Sequence, residues 1–302
     1  MKIIPYKGWQ TCYQLSNGLI DIVVTGDVGP RVIRLGFVED VNELYENPEW
    51  LGRNGNAGWI NYGGHRLWHA PEVNPRTYAP DNDPVTVEQY DEFVRFVQRV
   101  EPQTGIQKEI DIALNPGKAH VRVLHRLRNT TPWEVELAPW ALTVMAAGGK
   151  AIMPLPPRGS HSENLLPTNI MTLWAYTNMA DSRWTWGNKY VMLQQDSGAA
   201  NPQKIGLWVP DGWAAYANRH HLFVKTFTPC TGAPHPDFGC NVETFTNKDI
   251  LEVETLGPLT KLAPGAAVEY EENWYLFKDV PLPAQDGDVD TYVLPKVQQI
   301  RG

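Results

Sequence analysis

Residues Leu19–Phe37 read LIDIVVTGDVGPRVIRLGF. Two short runs rich in β-branched residues, Leu19–Thr25 and Arg31–Phe37, flank a turn-forming cluster at Gly26–Gly29. In the second run Val32, Arg34 and Gly36 alternate with Ile33, Leu35 and Phe37, the period of two that a strand requires. The same grammar continues along the chain. Gln107–Leu114 and His120–Arg128 read as a hairpin across the Asn115–Lys118 turn, and Glu134–Met145 as a longer apolar strand. Lys189–Gln194, Lys204–Val209, Trp213–Ala217, His220–Thr226, Cys240–Phe245, Ile250–Thr255 and Ala267–Phe277 complete the series. Glu92–Val100 is read as a strand that alternates less cleanly, and on periodicity alone a short helix is the alternative. No long amphipathic helix and no fixed-period repeat is evident. The expected fold class is all-β, a large antiparallel sandwich or barrel. No Ser/Gly linker or charge block divides residues 1–302, so one domain is expected.

A hydrophobic share of 42% and a charged share of 20% suit a globular chain with a sizeable core. The formal net charge of −8 argues against a nucleic-acid partner, whose phosphates need Lys and Arg. The start, MKIIPYKGWQTCYQ, has no apolar signal segment, and no apolar run approaches a membrane span. A cytoplasmic protein with no membrane partner is expected, unless a signal peptide has been removed. Three cysteines, Cys12, Cys230 and Cys240, make no disulfide framework and are expected as free thiols. Twelve tryptophans are many for this length; their flat faces suit stacking on sugar rings as well as core packing.

The segment Asn61–Glu72, NYGGHRLWHAPE, concentrates site-type residues. Gly63-Gly64 permits backbone conformations that a Cβ disfavours. After it His65, Leu67 and His69 alternate with Arg66 and Trp68, so a strand would send the two sets to opposite faces. Pro71 ends the pairing. This reads as a loop and strand delivering His65, Arg66, Trp68, His69 and Glu72 to a cleft; the alternative is a polar strand on a solvated face. Were His65 and His69 ligands on a strand they would stand about 13 Å apart, too far for one ion, so no metal and no cofactor is expected. Two loops add candidates. Pro154–Asn169 carries His161, and Asn178–Asn188 carries Asp181, Arg183 and Trp184.

NGLIDIVVTGDVGPRVIRLGF followed by NELYENPEW resembles the opening of galactose mutarotase-like proteins. The closing LGPLTKLAPGAAVEYEENWYLF is similar to that superfamily's ending, a Pro-Gly turn before an aromatic-rich strand. GGHRLWHAPE, DSRW and VETLGPL together resemble one branch of it, classed as a domain of unknown function. The resemblance covers most of the chain and implies a β-supersandwich with a carbohydrate cleft on its concave face. In aldose 1-epimerases of the superfamily an early Arg and His bind the sugar, a middle-strand His is the acid and a late Glu the base. By that resemblance His65 and Arg66 match the first pair, with His69 a further candidate, and Glu243 (in CNVETF) or Glu254 (in LEVETLGP) matches the base. The middle strand departs from the pattern: NTTPWEVELAPWALTVM has no histidine, and Trp140 and Thr143 stand where the acid is sought. His161 or His220 would have to reach the cleft, or the reaction differs.

Mutarotation needs a base for the anomeric hydroxyl and an acid for the ring oxygen, each in hydrogen-bond reach. The expected assignment is His65 or His69 as acid, Glu243 or Glu254 as base, Trp68 as a stacking platform, and Arg66 and Arg183 as anchors, with Lys225 adding charge if the substrate is a sugar acid. Glycoside hydrolysis or elimination by paired carboxylates, and non-catalytic carbohydrate binding, are the alternatives. No phosphate loop, G-x-S-x-G elbow or Cys-x-x-Cys pair is present.

Overall fold

A computed structural model describes residues 1–301. In chain order its strands are β1 (Lys2–Tyr6), β2 (Trp9–Ser16), β3 (Ile20–Thr25), β4 (Val32–Phe37), β5 (His65–Ala70), β6 (Thr86–Gln89), β7 (Val94–Val97), β8 (Ile106–Leu114), β9 (His120–Asn129), β10 (Val135–Met145), β11 (Lys150–Pro154), β12 (Met171–Leu173), β13 (Trp184–Trp186), β14 (Tyr190–Gln194), β15 (Gln203–Leu207), β16 (Trp213–Asn218), β17 (His221–Phe227), β18 (Val242–Thr246), β19 (Leu251–Leu256), β20 (Thr260–Leu262) and β21 (Ala267–Phe277). One sheet has eleven strands in the order β1-β2-β3-β4-β5-β10-β19-β18-β15-β12, with β20 alongside β10. The other has ten, in the order β13-β14-β11-β16-β17-β21-β9-β8-β7-β6. The pairings are antiparallel, as the alternating sequence pattern requires.

The Leu19–Phe37 stretch becomes the β3–β4 pair, and the turn at Asn115–Lys118 joins β8 to β9. Glu92–Val100 contains the strand β7, not a helix; its pairing with both β6 and β8 decides what periodicity left open. Inward residues of the two sheets share one core: Ile22, Leu35, Leu67, Met145 and Val253 from the first, and Phe96, Ile110, Val123, Phe223 and Trp274 from the second. Burial of each such side chain contributes about 1.5–3 kcal/mol. A helical segment runs over Asp286–Asp288, Val289–Val293 and Leu294–Gln299 at the C-terminal end. Val289, Val293 and Val297, four residues apart, pack on Ile152, Trp213 and Val224 of the second sheet's outer face. Three apolar positions in a short segment are too few to stand out in the sequence. Cys12, Cys230 and Cys240 are free thiols. Among the described residues no helix is long and apolar enough to cross a membrane.

β5 lies at the middle of the eleven-stranded sheet, between β4 and β10. Its approach depends on the two glycines, which both have positive φ (+93° at Gly63, +67° at Gly64). A Cβ on Gly63 would collide with the Tyr45 carbonyl, and one on Gly64 with the Val32 carbonyl. Along β5 the pleat sends His65, Leu67 and His69 into the space between the sheets. Arg66 and Trp68 go to the opposite, outer face.

Candidate functional site

The outer face of the eleven-stranded sheet carries a cavity of about 590 Å³, within the roughly 300–1,000 Å³ of small-molecule sites. Its floor comes from four adjacent strands: Arg66 and Trp68 of β5, Trp140 and Leu142 of β10, Glu252 of β19 and Phe245 of β18. Lys204 of β15 completes it. Trp59, Tyr78, Trp174 and Tyr176, from the loops before and after these strands, form the walls, and Glu72 joins them. The rings interlock. Trp68 lies edge-on to Trp140 at 5.4 Å and tilts against Trp59 at 5.1 Å. Edge-to-face and tilted pairs of this kind are worth about 0.5–1.5 kcal/mol beyond the area they bury.

The charges on this floor are arranged in two groups. Arg66 Nη1 donates to Glu252 Oε1 at 3.0 Å, and its guanidinium lies 4.3 Å from the Trp68 ring centre. Lys204 Nζ stands 2.8 Å from Glu243 Oε2 and 3.2 Å from Glu254 Oε2, and 4.7 Å from the ring centres of both Trp140 and Trp174. The register explains the second group. Glu243 of β18 pairs directly with Glu254 of β19, two like charges face to face. Gly206 of β15 is the other neighbour of Glu243 and has no side chain there, so Lys204, two residues along the same face, reaches across it. Trp140 Nε1 donates to Glu254 Oε2 at 2.8 Å.

Both carboxyls are fully buried beneath Lys204. Burial pushes Glu243 well above the usual carboxylate range; Lys204 pulls it back and the charge of Glu254 adds to the rise. Glu254 is raised for the same reason, with Glu252 adding to the push. Burial alone would lower Lys204, but its two glutamates outweigh that and hold its ammonium well above the ordinary lysine value.

The expected site residues divide three ways. Arg66, Trp68 and Glu72 line the cavity, Glu72 accepting a hydrogen bond from Tyr78. Glu243 and Glu254 lie directly under it. The others are elsewhere. His65 is buried between the sheets, where Nε2 meets His125 Nε2 at 2.8 Å and Nδ1 meets Thr143 Oγ1 at 2.9 Å. His69, also on the inner face, faces Glu101 at 3.4 Å. Lys225 spans the two layers: Nζ is 2.9 Å from Glu272 and donates to the carbonyls of Ala141 and Val253. Arg183 is clamped by Asp181 through two 2.9 Å contacts, a loop-fixing pair. Trp184 is packed in the core and donates to Gln203. His161 is exposed on its loop, and His220 lies in the turn between β16 and β17. Among the described residues no histidine lines this cavity.

His65, His125 and Glu272 bring three ligand-type atoms within 4.8 Å. Hydrogen bonding accounts for all four ring nitrogens. His125 Nδ1 lies 3.0 Å from the Tyr270 carbonyl, which only accepts, so that nitrogen carries the proton. His125 Nε2 then accepts from His65 Nε2–H, and His65 Nδ1 accepts from the Thr143 hydroxyl.

Sequence reasoning passed over Glu252, Lys204, Trp59, Tyr78, Trp174 and Tyr176. One signal was available: in LEVETL, Glu252 and Glu254 are two apart and must share a face.

No family model matches the chain, and no curated protein matches it in sequence. Solved structures do match. A galactose mutarotase-like protein from Lactobacillus casei aligns with TM-score 0.55 and 11% identity over 88% of this chain and 100% of its own. A candidate aldose 1-epimerase from Klebsiella pneumoniae gives 0.58 and 12% over 95% and 82%. A galactose mutarotase-like protein from Clostridium acetobutylicum gives 0.55 and 9% over 88% and 95%. At such identities the likeness speaks for architecture and not for activity. The chain has the galactose mutarotase-like β-sandwich fold.

Proposed function

We propose that this protein binds a sugar in the cavity on the outer face of the eleven-stranded sheet and catalyses acid–base chemistry on it of the epimerase type. The carrying observation is the cavity lining itself: paired acidic and basic groups set among seven aromatic side chains. Aromatic faces suit the C–H faces of a sugar ring, and fixed polar groups orient its hydroxyls. Glu252 lines the cavity and is the carboxylate placed to accept the anomeric proton, a role that the resemblance would give to Glu243 or Glu254. The solved structures of the same fold include proteins named for mutarotase and aldose 1-epimerase likeness, which favours this reaction class.

Non-catalytic carbohydrate binding is the second reading. It is favoured by the absence of any histidine among the described residues lining the cavity, and by the full burial of Glu243 and Glu254. Magnetisation-transfer NMR of anomeric exchange separates the two. Faster exchange of a neutral aldose in the presence of the protein supports the epimerase-type reading. Saturation transfer to the sugar without faster exchange supports binding alone.

A further inference from the structure

Glu243, Glu254 and Lys204 form a buried group of two carboxyls and one ammonium. With both carboxyls ionised it would hold one uncompensated negative charge in a site closed to water. It would also leave two carboxylate oxygens without a hydrogen-bond donor: Oε1 of Glu243 and Oε1 of Glu254. One proton on the pair removes the excess charge and supplies a donor to one of those oxygens. Of the three residues, Lys204 alone lines the cavity. Its Nζ is therefore the point at which this cluster touches whatever the cavity holds.

We propose that the two glutamates share one proton at neutral pH and that Lys204 is the proton donor to the sugar ring oxygen, in place of the histidine that the cavity lacks. This rests on the epimerase-type reading above. The steps balance. Glu252 takes the anomeric O–H proton, the electrons of that bond form the C1=O double bond, and the C1–O5 pair leaves with O5. O5, leaving as an alkoxide and so a stronger base than the lysine amine even with two glutamates beside it, takes its proton from Lys204, which is restored by the shared carboxyl proton. After rotation about C1–C2, O5 attacks C1 from the other face; the O5 proton returns through Lys204 to the carboxyl pair, and Glu252 returns its proton to O1. No oxidant or reductant enters. Lys204 is the catalytic residue in this scheme, and Glu243 and Glu254 position and recharge it.

Two measurements test it. Infrared difference spectroscopy of the sugar-free protein, wild type against Glu243→Gln and Glu254→Gln, reads the shared proton directly. A carboxylic-acid C=O band at neutral pH that changes in both variants supports the proposal; its absence overturns it. Anomeric exchange of a neutral aldose is then compared in wild type, Lys204→Met and Lys204→Arg. Arginine keeps the charge but does not release a proton in this pH range. Both variants are expected to lose at least about 100-fold in kcat, the lower end for general acid catalysis, with KM held within a few-fold in Lys204→Arg. Full exchange activity in Lys204→Arg overturns the assignment of Lys204 while leaving the epimerase-type reading intact. No exchange in wild type despite sugar binding overturns that reading, and the transfer step with it.

Discussion

His65 Nε2 stands 2.8 Å from His125 Nε2, one ring from each sheet, in the middle of the sandwich. Burial holds both imidazoles below the ordinary histidine value. For His65 the neighbouring His125 and Lys225 add to the drop, and for His125 the nearby Glu272 partly offsets it. The folded pair therefore refuses protons that the unfolded chain accepts. Stability from this source is complete above about pH 6.5 and is lost as pH falls below it, by up to about 1.4 kcal/mol per pH unit for each histidine. Urea unfolding at a series of pH values checks this. His125→Gln should lower stability at neutral pH and flatten the decline below about pH 6.5. An unchanged decline would place its origin elsewhere.

Glu101 behaves in the opposite sense. Burial alone would raise its carboxyl, but Lys108 at 2.5 Å, with His69, brings it down to about 2. Its contribution is present above the unfolded value of about 4.3 and is lost as pH falls toward 2. Lys108→Met leaves a buried carboxylate without its cation and should cost about 3–5 kcal/mol at neutral pH. Denaturant titration of this variant gives the figure directly. A loss below about 1 kcal/mol would mean that the pair contributes little.

Arg66 and Glu252 should show the asymmetry of a buried pair. Their side chains are 3% and 8% exposed. Arg66→Met alone strands Glu252 and should destabilise by about 3 kcal/mol or more, whereas the double variant Arg66→Met/Glu252→Met should recover most of that loss. Thermal unfolding of the two variants decides it. Equal destabilisation in single and double variants would show that Arg66→Met leaves no costly stranded charge at Glu252.

Trp174 is half-buried on the cavity wall, so replacing it disturbs the core less than replacing Trp68 or Trp140 would. Trp174→Ala should weaken sugar binding by roughly 1 kcal/mol, about fivefold in Kd, with little change in melting temperature. Calorimetric titration with a neutral sugar measures it. Unaltered affinity would remove Trp174 from the binding surface.

The sheets were legible in the sequence because period-two alternation and Gly/Pro turns mark strands locally, as Ile20–Thr25 and Val32–Phe37 show. The same alternation separated His65 and His69 from Arg66 and Trp68. It does not say which set faces the partner sheet, since a period of two is symmetric between faces. The structure turns the histidines inward, where other buried polar groups meet them, and the arginine and tryptophan outward. The pairing of Lys204 with Glu243 and Glu254 depends on register among β15, β18 and β19, which local patterns do not encode. Asp181 and Arg183 read as site residues from their place in a Trp-bearing polar loop, yet at that spacing they close on each other. The sequence distinguishes an anchoring pair from a ligand-binding pair poorly, because both use the same residue types.

The most direct test of the account is an NMR titration that follows the indole N–H signals of all twelve tryptophans while a neutral aldose is added and its anomeric exchange is read in the same sample. The account predicts that the indoles of Trp59, Trp68, Trp140 and Trp174 shift together and that exchange quickens. Shifts confined to tryptophans outside this cavity, such as Trp133 or Trp213, or no shifts with any sugar, would contradict it.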